Sequence, residues 1–219
     1  MRTLLAPAAF ALGSIAAFVP HAVAETTPPA AADVRIEIVD PLTDPRAADA
    51  RRSALPATSY LGQKLVTEMN AALKKGPPEE AFALAHLQSV GADGQVVPGM
   101  PKVRAFKLTS LRLINAANHP DHAEQAVLED VARTIRSASK PADLIVQHIT
   151  FPDGSEEWRA YRPLAALPTC IACHGDPASL SPRMRTLLAQ RATEDKATGY
   201  RPGEWRGLLR VTVDVPPGA

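Results

Sequence analysis

Cysteine is almost missing from this chain, occurring twice in 219 residues. Two thiols can build neither a disulfide framework nor an all-cysteine zinc site. Aromatic residues are scarce at 5%, so few rings are available to fill a core, and a large bound cofactor could supply some of that volume. Charge of either sign is not in excess: 24 Lys+Arg against 23 Asp+Glu leave +1, which offers no electrostatic footprint for nucleic acid. No long apolar run recurs beyond the N-terminus, which excludes a multi-span membrane protein. Gly91-Ala92-Asp93-Gly94 lacks the lysine and hydroxyl of a phosphate-binding loop and reads as a plain turn. Against these shortages stand 46% hydrophobic residues and 21 prolines. The apolar share is too high for a disordered chain, and the prolines suggest a loop-rich domain. The length is room for one domain with a real core.

Met1-Arg2 gives a minimal positive start, Leu4 to Val19 is apolar or small, and Ala22-Val23-Ala24 precedes Glu25. This is the pattern of a signal peptide cut after Ala24, with a retained anchor as the rival reading. The expectation is a leader over 1–24 and a mature chain exported to a bacterial periplasm, free of the membrane after cleavage. Residues 25–57 read as a Pro/Ala-rich lead-in with at most one short strand at Val34–Val39, and 58–219 as a single domain.

Within that domain the spacing of Leu61, Leu65, Val66, Met69, Ala72 and Leu73 predicts a helix over 58–75, ended by Gly76-Pro77-Pro78. A second helix is expected from Glu79 to Val90. Val103 to Ile114 reads as a strand with a bulge near its middle. Asp121 with Glu124 forms a capping-box signature that opens a helix through Ile135. Leu144–Thr150 and Glu157–Arg162 flank Pro152-Asp153-Gly154 as a hairpin. A short helix over 180–191 and a last strand over 207–213 complete an α+β pattern with an antiparallel sheet.

The chemistry concentrates in Cys170-Ile171-Ala172-Cys173-His174. Two thiols three positions apart can add to the two vinyl groups of one haem, and the histidine after them can ligate the iron as proximal base. A redox dithiol or disulfide with a chance histidine is the competing account. A thioredoxin-like dithiol would sit early in the chain, after a first strand, and no second cysteine pair exists to complete a zinc site. The expected cofactor is therefore a single covalent haem c.

The motif continues as Gly175-Asp176-Pro177, followed by Asp195-Lys196-Ala197-Thr198-Gly199-Tyr200 and Glu204-Trp205-Arg206-Gly207, and preceded by Thr109-Ser110-Leu111-Arg112 and Asn115-Ala116-Ala117-Asn118. In this order the chain resembles the bacterial mono-haem c domains with a PAS-like fold, long a domain family of unknown function. The resemblance spans roughly residues 58–214. It implies a PAS-like antiparallel sheet flanked by helices, found alone in the periplasm or as the sensing part of membrane histidine kinases and chemoreceptors. Two departures stand out. Ala116 occupies the proline position of the family's Asn-Pro-x-Asn pattern. Many members also carry a distal cysteine ligand near the place of Ala85, and this chain has no third cysteine.

His86, beside Ala85, is the expected distal iron ligand, with a satisfied core histidine as the alternative. His119 and His122 are expected at the surface, and His148 on a strand facing solvent or a polar neighbour. Met69 and Met100 are thioether candidates, Met69 better read as packing. Arg104, Arg112, Lys196, Tyr200 and Arg206 are plausible partners for haem propionates, with Arg112, Lys196 and Tyr200 chosen as cofactor-binding residues. No nucleophile–base pair or paired carboxylates identify an enzyme. The expected function is redox or diatomic-gas sensing by an exported haem-binding module. One-electron transfer to a partner protein is the alternative.

Overall fold

A computed structural model describes residues 33–85, 97, 99–191 and 197–217. The leader, His86, the Gly91–Gly94 turn and Lys196 lie outside the described residues. In chain order the elements are β1 (Arg35–Val39), α1 (Pro45–Lys75), α2 (Pro78–Ala85), β2 (Val103–Thr109), α3 (His122–Arg136), β3 (Ile145–Thr150), β4 (Glu156–Ala165), α4 (Ile171–His174), α5 (Pro182–Arg191) and β5 (Trp205–Val213). The five strands form one antiparallel sheet in the order β1-β3-β4-β5-β2. The fold is thus α+β, with helices on both faces of the sheet. Among the described residues no helix is long and apolar enough to cross a membrane.

Strand alternation decides what each face receives. Leu209, Val211 and Val213 of β5 point to one face with Val146, Ala160 and Phe106, and α1 covers them. Its contribution is a row of small residues, Ala47, Ala50, Ala54 and Ala57, ending at Leu61. Steps of three and four keep these positions on one side of the helix, and their small size lets the backbone lie close to the sheet. On the opposite face, Val127, Leu128 and Val131 of α3 pack against Ile145, Tyr161 and Leu208.

The α3 face also encloses charge. Glu124 is fully buried, with its carboxylate 2.8 Å from Lys107 Nζ and 3.2 Å from Arg210 Nε. The same residue closes the capping box, accepting from the Asp121 N–H at 2.9 Å while the Glu124 N–H donates to Asp121 at 2.7 Å. Burial works against the Asp121 carboxylate, but the Glu124 N–H and Arg159 hold its pKa below the ordinary aspartate value.

Three expectations change. The short strand expected at Val34–Val39 is present as β1, but the helix expected from Thr58 starts at Pro45, so its first half lies within residues 25–57. Asp44 caps this helix by accepting from the Ala47 N–H, and Pro45 occupies the first turn, where no backbone donor is needed. Pro56 sits on the exposed side of the helix, where a lost backbone bond is answered by water. The strand expected over 103–114 ends at Thr109, and its register shift falls between Val103 and Ala105 rather than in the middle. The hairpin and the last strand are present, and β5 runs through the sheet interior between β4 and β2.

Candidate functional site

Pro168 opens a 3-10 turn through Cys170 that passes directly into α4. This single turn sets Cys170 and Cys173 on one side of the backbone. Both thiols are free; Cys170 is half-buried and Cys173 buried, packed with Phe82, Leu180 and Met184. Burial, reinforced by Glu79 and Cys170, pushes the Cys173 thiol up to about 11, so it is protonated at neutral pH. Gly175 stops the helix, donating to Ile171 O at 2.9 Å. A β-carbon there would lie 2.6 Å from Ile171 Cγ2 and 2.7 Å from Ile171 O, so the turn has no room for a side chain.

A second segment, Ala197–Tyr200, straps this turn from the side. Tyr200 N–H donates to His174 O at 2.9 Å and Gly199 N–H to Gly175 O at 2.7 Å. His174 is 6% exposed, and its Nδ1 lies 2.8 Å from the Ala197 carbonyl. A carbonyl only accepts, so Nδ1 carries the proton, which leaves Nε2 as the lone-pair nitrogen whenever the ring is neutral. That is how a metal-ligating imidazole is commonly oriented, its second nitrogen fixed by a backbone acceptor. Ala197 has φ +44°, a left-handed conformation that costs a non-glycine residue about 1–2 kcal/mol. The strain accompanies the carbonyl that sets the histidine's tautomer.

His174, Cys170 and Cys173 share the wall of a cavity of about 770 Å³, within the usual range of small-molecule and cofactor sites, about 300–1,000 Å³. The second half of α1 contributes Gly62, Leu65, Val66 and Met69 to the wall. Beyond Leu61 no residue of α1 is buried, so this apolar stripe leaves the sheet core and faces the cavity. A β-carbon on Gly62 would meet nothing within 4 Å among the described residues. Among the described residues, no group of three or more His, Cys, Asp or Glu side chains could hold a bare metal ion. A macrocycle carrying its own iron would fit two neighbouring free thiols, one oriented imidazole and an apolar face.

Three arginines, Arg112, Arg162 and Arg206, line the same cavity, and no Asp or Glu is among its described lining residues. Arg112 and Arg206 flank the Tyr200 ring, their guanidinium carbons 4.6 and 5.2 Å from its centroid, a favourable cation–π geometry. Arg112 donates to Thr198 O at 2.5 Å, and Arg206 to Ser110 Oγ and Arg112 O at 3.0 Å each. Desolvation lowers the pKa of Arg206 from its ordinary value and the Arg112 charge adds to this, while Tyr200 opposes both. At a separate point, Arg162 on β4 donates to Ser59 Oγ on α1 at 2.9 Å.

Of the expected residues, Cys170, Cys173, His174, Arg112 and Arg206 meet at this cavity. Tyr200 is buried behind them, edge-on to the His174 ring with centroids 6.4 Å apart. His119 and His122 are exposed. His148 stacks on Trp158 at 4.3 Å and lies 3.2 Å from Glu156, in a cluster with Arg46 rather than among the cavity residues. Met100 packs against the alanine-rich core, whereas Met69, read as core packing, lines the cavity. Arg104 forms an exposed ion pair with Asp214. Asn118 lines the cavity from a 3-10 turn over Ala116–Asn118, and Asn115 lines it from just before that turn, which forms without the family's proline. Sequence reasoning passed over Arg162 and Gly62; an isolated arginine in a hairpin strand and a helical glycine carry no local signal.

A family model described as Tll0287-like matches residues 56–214. The crystal structure of the cyanobacterial haem protein Tll0287 is similar over 75% of this chain and 97% of that one, at 15% identity and a TM-score of 0.44. No curated protein matches the chain.

Proposed function

The chain belongs to the Tll0287-like family, and from that premise and the cavity we propose that it is a haem-binding module of the c type. The observation that carries the reading is the meeting of Cys170, Cys173 and the Nδ1-anchored His174 on one wall of a cofactor-sized cavity. The two cysteines hold the group by thioether bonds, each formed by addition of S–H across a vinyl, a reaction that needs no oxidant. His174 Nε2 serves as the proximal ligand. The iron supplies one-electron and ligand-binding chemistry. Arg112 and Lys196 belong to the cofactor site as cations and Tyr200 as the ring that seats Arg112, and His86, beside the position where the family's distal ligand falls, is the distal ligand. The α+β architecture supports a PAS-like reading of the fold.

The role we favour is sensing, in which redox state or a diatomic gas alters the sixth ligand, rather than catalysis. The roomy, apolar α1 wall of the His174 cavity supports it. Export through the 1–24 leader belongs to the same proposal, since covalent attachment to this motif is made outside the cytoplasm. Absorption spectra of ferric, ferrous and carbon monoxide-treated protein test it. A ferrous spectrum shifted by carbon monoxide supports a ligand-binding module. A spectrum indifferent to the gas, with reversible one-electron cycling, supports a carrier instead.

A further inference from the structure

We infer that Arg162, held by Ser59, is a carboxylate-binding site at the end of the cavity remote from the attachment cysteines; the inference rests on the haem reading above. The argument begins from the charge inventory, three arginines and no acid among the described lining residues. These cations fall at two places. Arg112 donates to the carbonyl of Thr198, next to the Ala197 carbonyl that holds His174, and Arg206 donates to the Arg112 carbonyl. Both therefore sit at the attachment end. Arg162 lies three residues before Ala165, where β4 ends and the chain turns toward Cys170. At the rise of a strand this is about 10 Å.

A haem has its vinyl groups and its two propionates on opposite edges. With Cys170 and Cys173 holding the vinyl edge, the carboxylates would lie at the edge away from α4, where Arg162 would hold them. The Arg162 fork is already oriented by the Ser59 hydroxyl across the gap between β4 and α1, which lowers the ordering cost of gripping a carboxylate. Asp143 is near enough for Arg162 to depress its pKa further, but its main partner is Lys140, 3.0 Å away, and its side chain is 76% exposed. It does not line the cavity.

The test is the midpoint potential of holoprotein variants, read beside intact mass. Ferrous haem carries one more negative charge than ferric, so a bound guanidinium favours the reduced state. Arg162→Gln should lower the potential with the haem still attached. Ser59→Ala, which removes no charge, should lower it less, and the double variant should match Arg162→Gln alone, since the hydroxyl acts through the arginine. Arg104→Gln, at the exposed Asp214 pair, should leave it unchanged. Titration with acetate separates the two possible carboxylates. A potential indifferent to acetate assigns the site to the resident propionates, and an Arg162-dependent response to acetate assigns it to a free carboxylate. Unchanged potential in Arg162→Gln with no Arg162-dependent acetate effect overturns the inference, as does a shift in Arg162→Gln with none in Ser59→Ala, which would mean charge acting through space. Wild-type protein lacking attached haem would instead overturn the reading beneath it.

Discussion

Gly62 offers the sharpest separation between a cavity that is a cofactor site and a helix face that is merely uncovered. Glycine inside a helix costs about 0.8–1.0 kcal/mol relative to alanine. A β-carbon at position 62 meets nothing within 4 Å among the described residues. Gly62→Ala should therefore stabilise the haem-free protein by about 1 kcal/mol, which raises the melting temperature by about 2–4 °C in a domain of this size. Gly62→Phe projects a ring into the 770 Å³ cavity, where the haem-free fold has room for it but the macrocycle does not. Its haem-free stability should match or exceed that of the wild type, while its haem content per polypeptide collapses. Thermal melts and the haemochrome-to-protein ratio read the two effects separately. Wild-type haem content in Gly62→Phe would refute the placement of the cofactor against α1. A destabilised Gly62→Ala would refute the openness of that wall.

Three further outcomes follow from the same geometry. Glu124→Gln breaks a fully buried carboxylate away from Lys107 and Arg210 and should cost about 3–5 kcal/mol, visible as a lower urea midpoint with an unchanged slope. Asp121, whose pKa is held low by the Glu124 N–H and Arg159 against the effect of burial, contributes stability that is present above the ordinary aspartate pKa of about 3.9. That contribution is lost as pH falls through the lower, folded value; Asp121→Asn should flatten this acid limb, and an unaltered pH profile would contradict it. Gly175→Ala forces a β-carbon onto Ile171 and so displaces the turn that carries Cys173 and His174. It should lower haem incorporation more than it lowers the haem-free melting temperature.

Much of this architecture was legible because its signals are local. The Asp121–Glu124 box, the Pro-Asp-Gly turn between β3 and β4, and the Leu209–Val211–Val213 alternation each involve residues a few positions apart. The first half of α1 was hidden for the opposite reason. Its buried face is alanine, which carries little hydrophobic contrast, and Pro45 and Pro56 read as loop residues although one starts the helix and the other faces water. The end of β2 at Thr109 depends on long-range contacts, among them the Ser110 hydroxyl donating to Arg206 O, which no window around residue 110 contains. At the site, the Cys-x-x-Cys-His run and the late Ala197–Tyr200 segment were visible as motifs. Their joining through the Ala197 carbonyl exists only once α4 and the 197–200 segment are folded together, and the convergence of Arg162 with Ser59 across 103 positions only once β4 and α1 are.

Intact-mass analysis of the purified protein after acid-acetone extraction tests the central claim most directly. The account predicts one haem still bound to the polypeptide, lost when Cys170 and Cys173 are both replaced by alanine. A mass equal to the polypeptide alone, with the haem stripped into the solvent or with Cys170 joined to Cys173 as a disulfide, would contradict it.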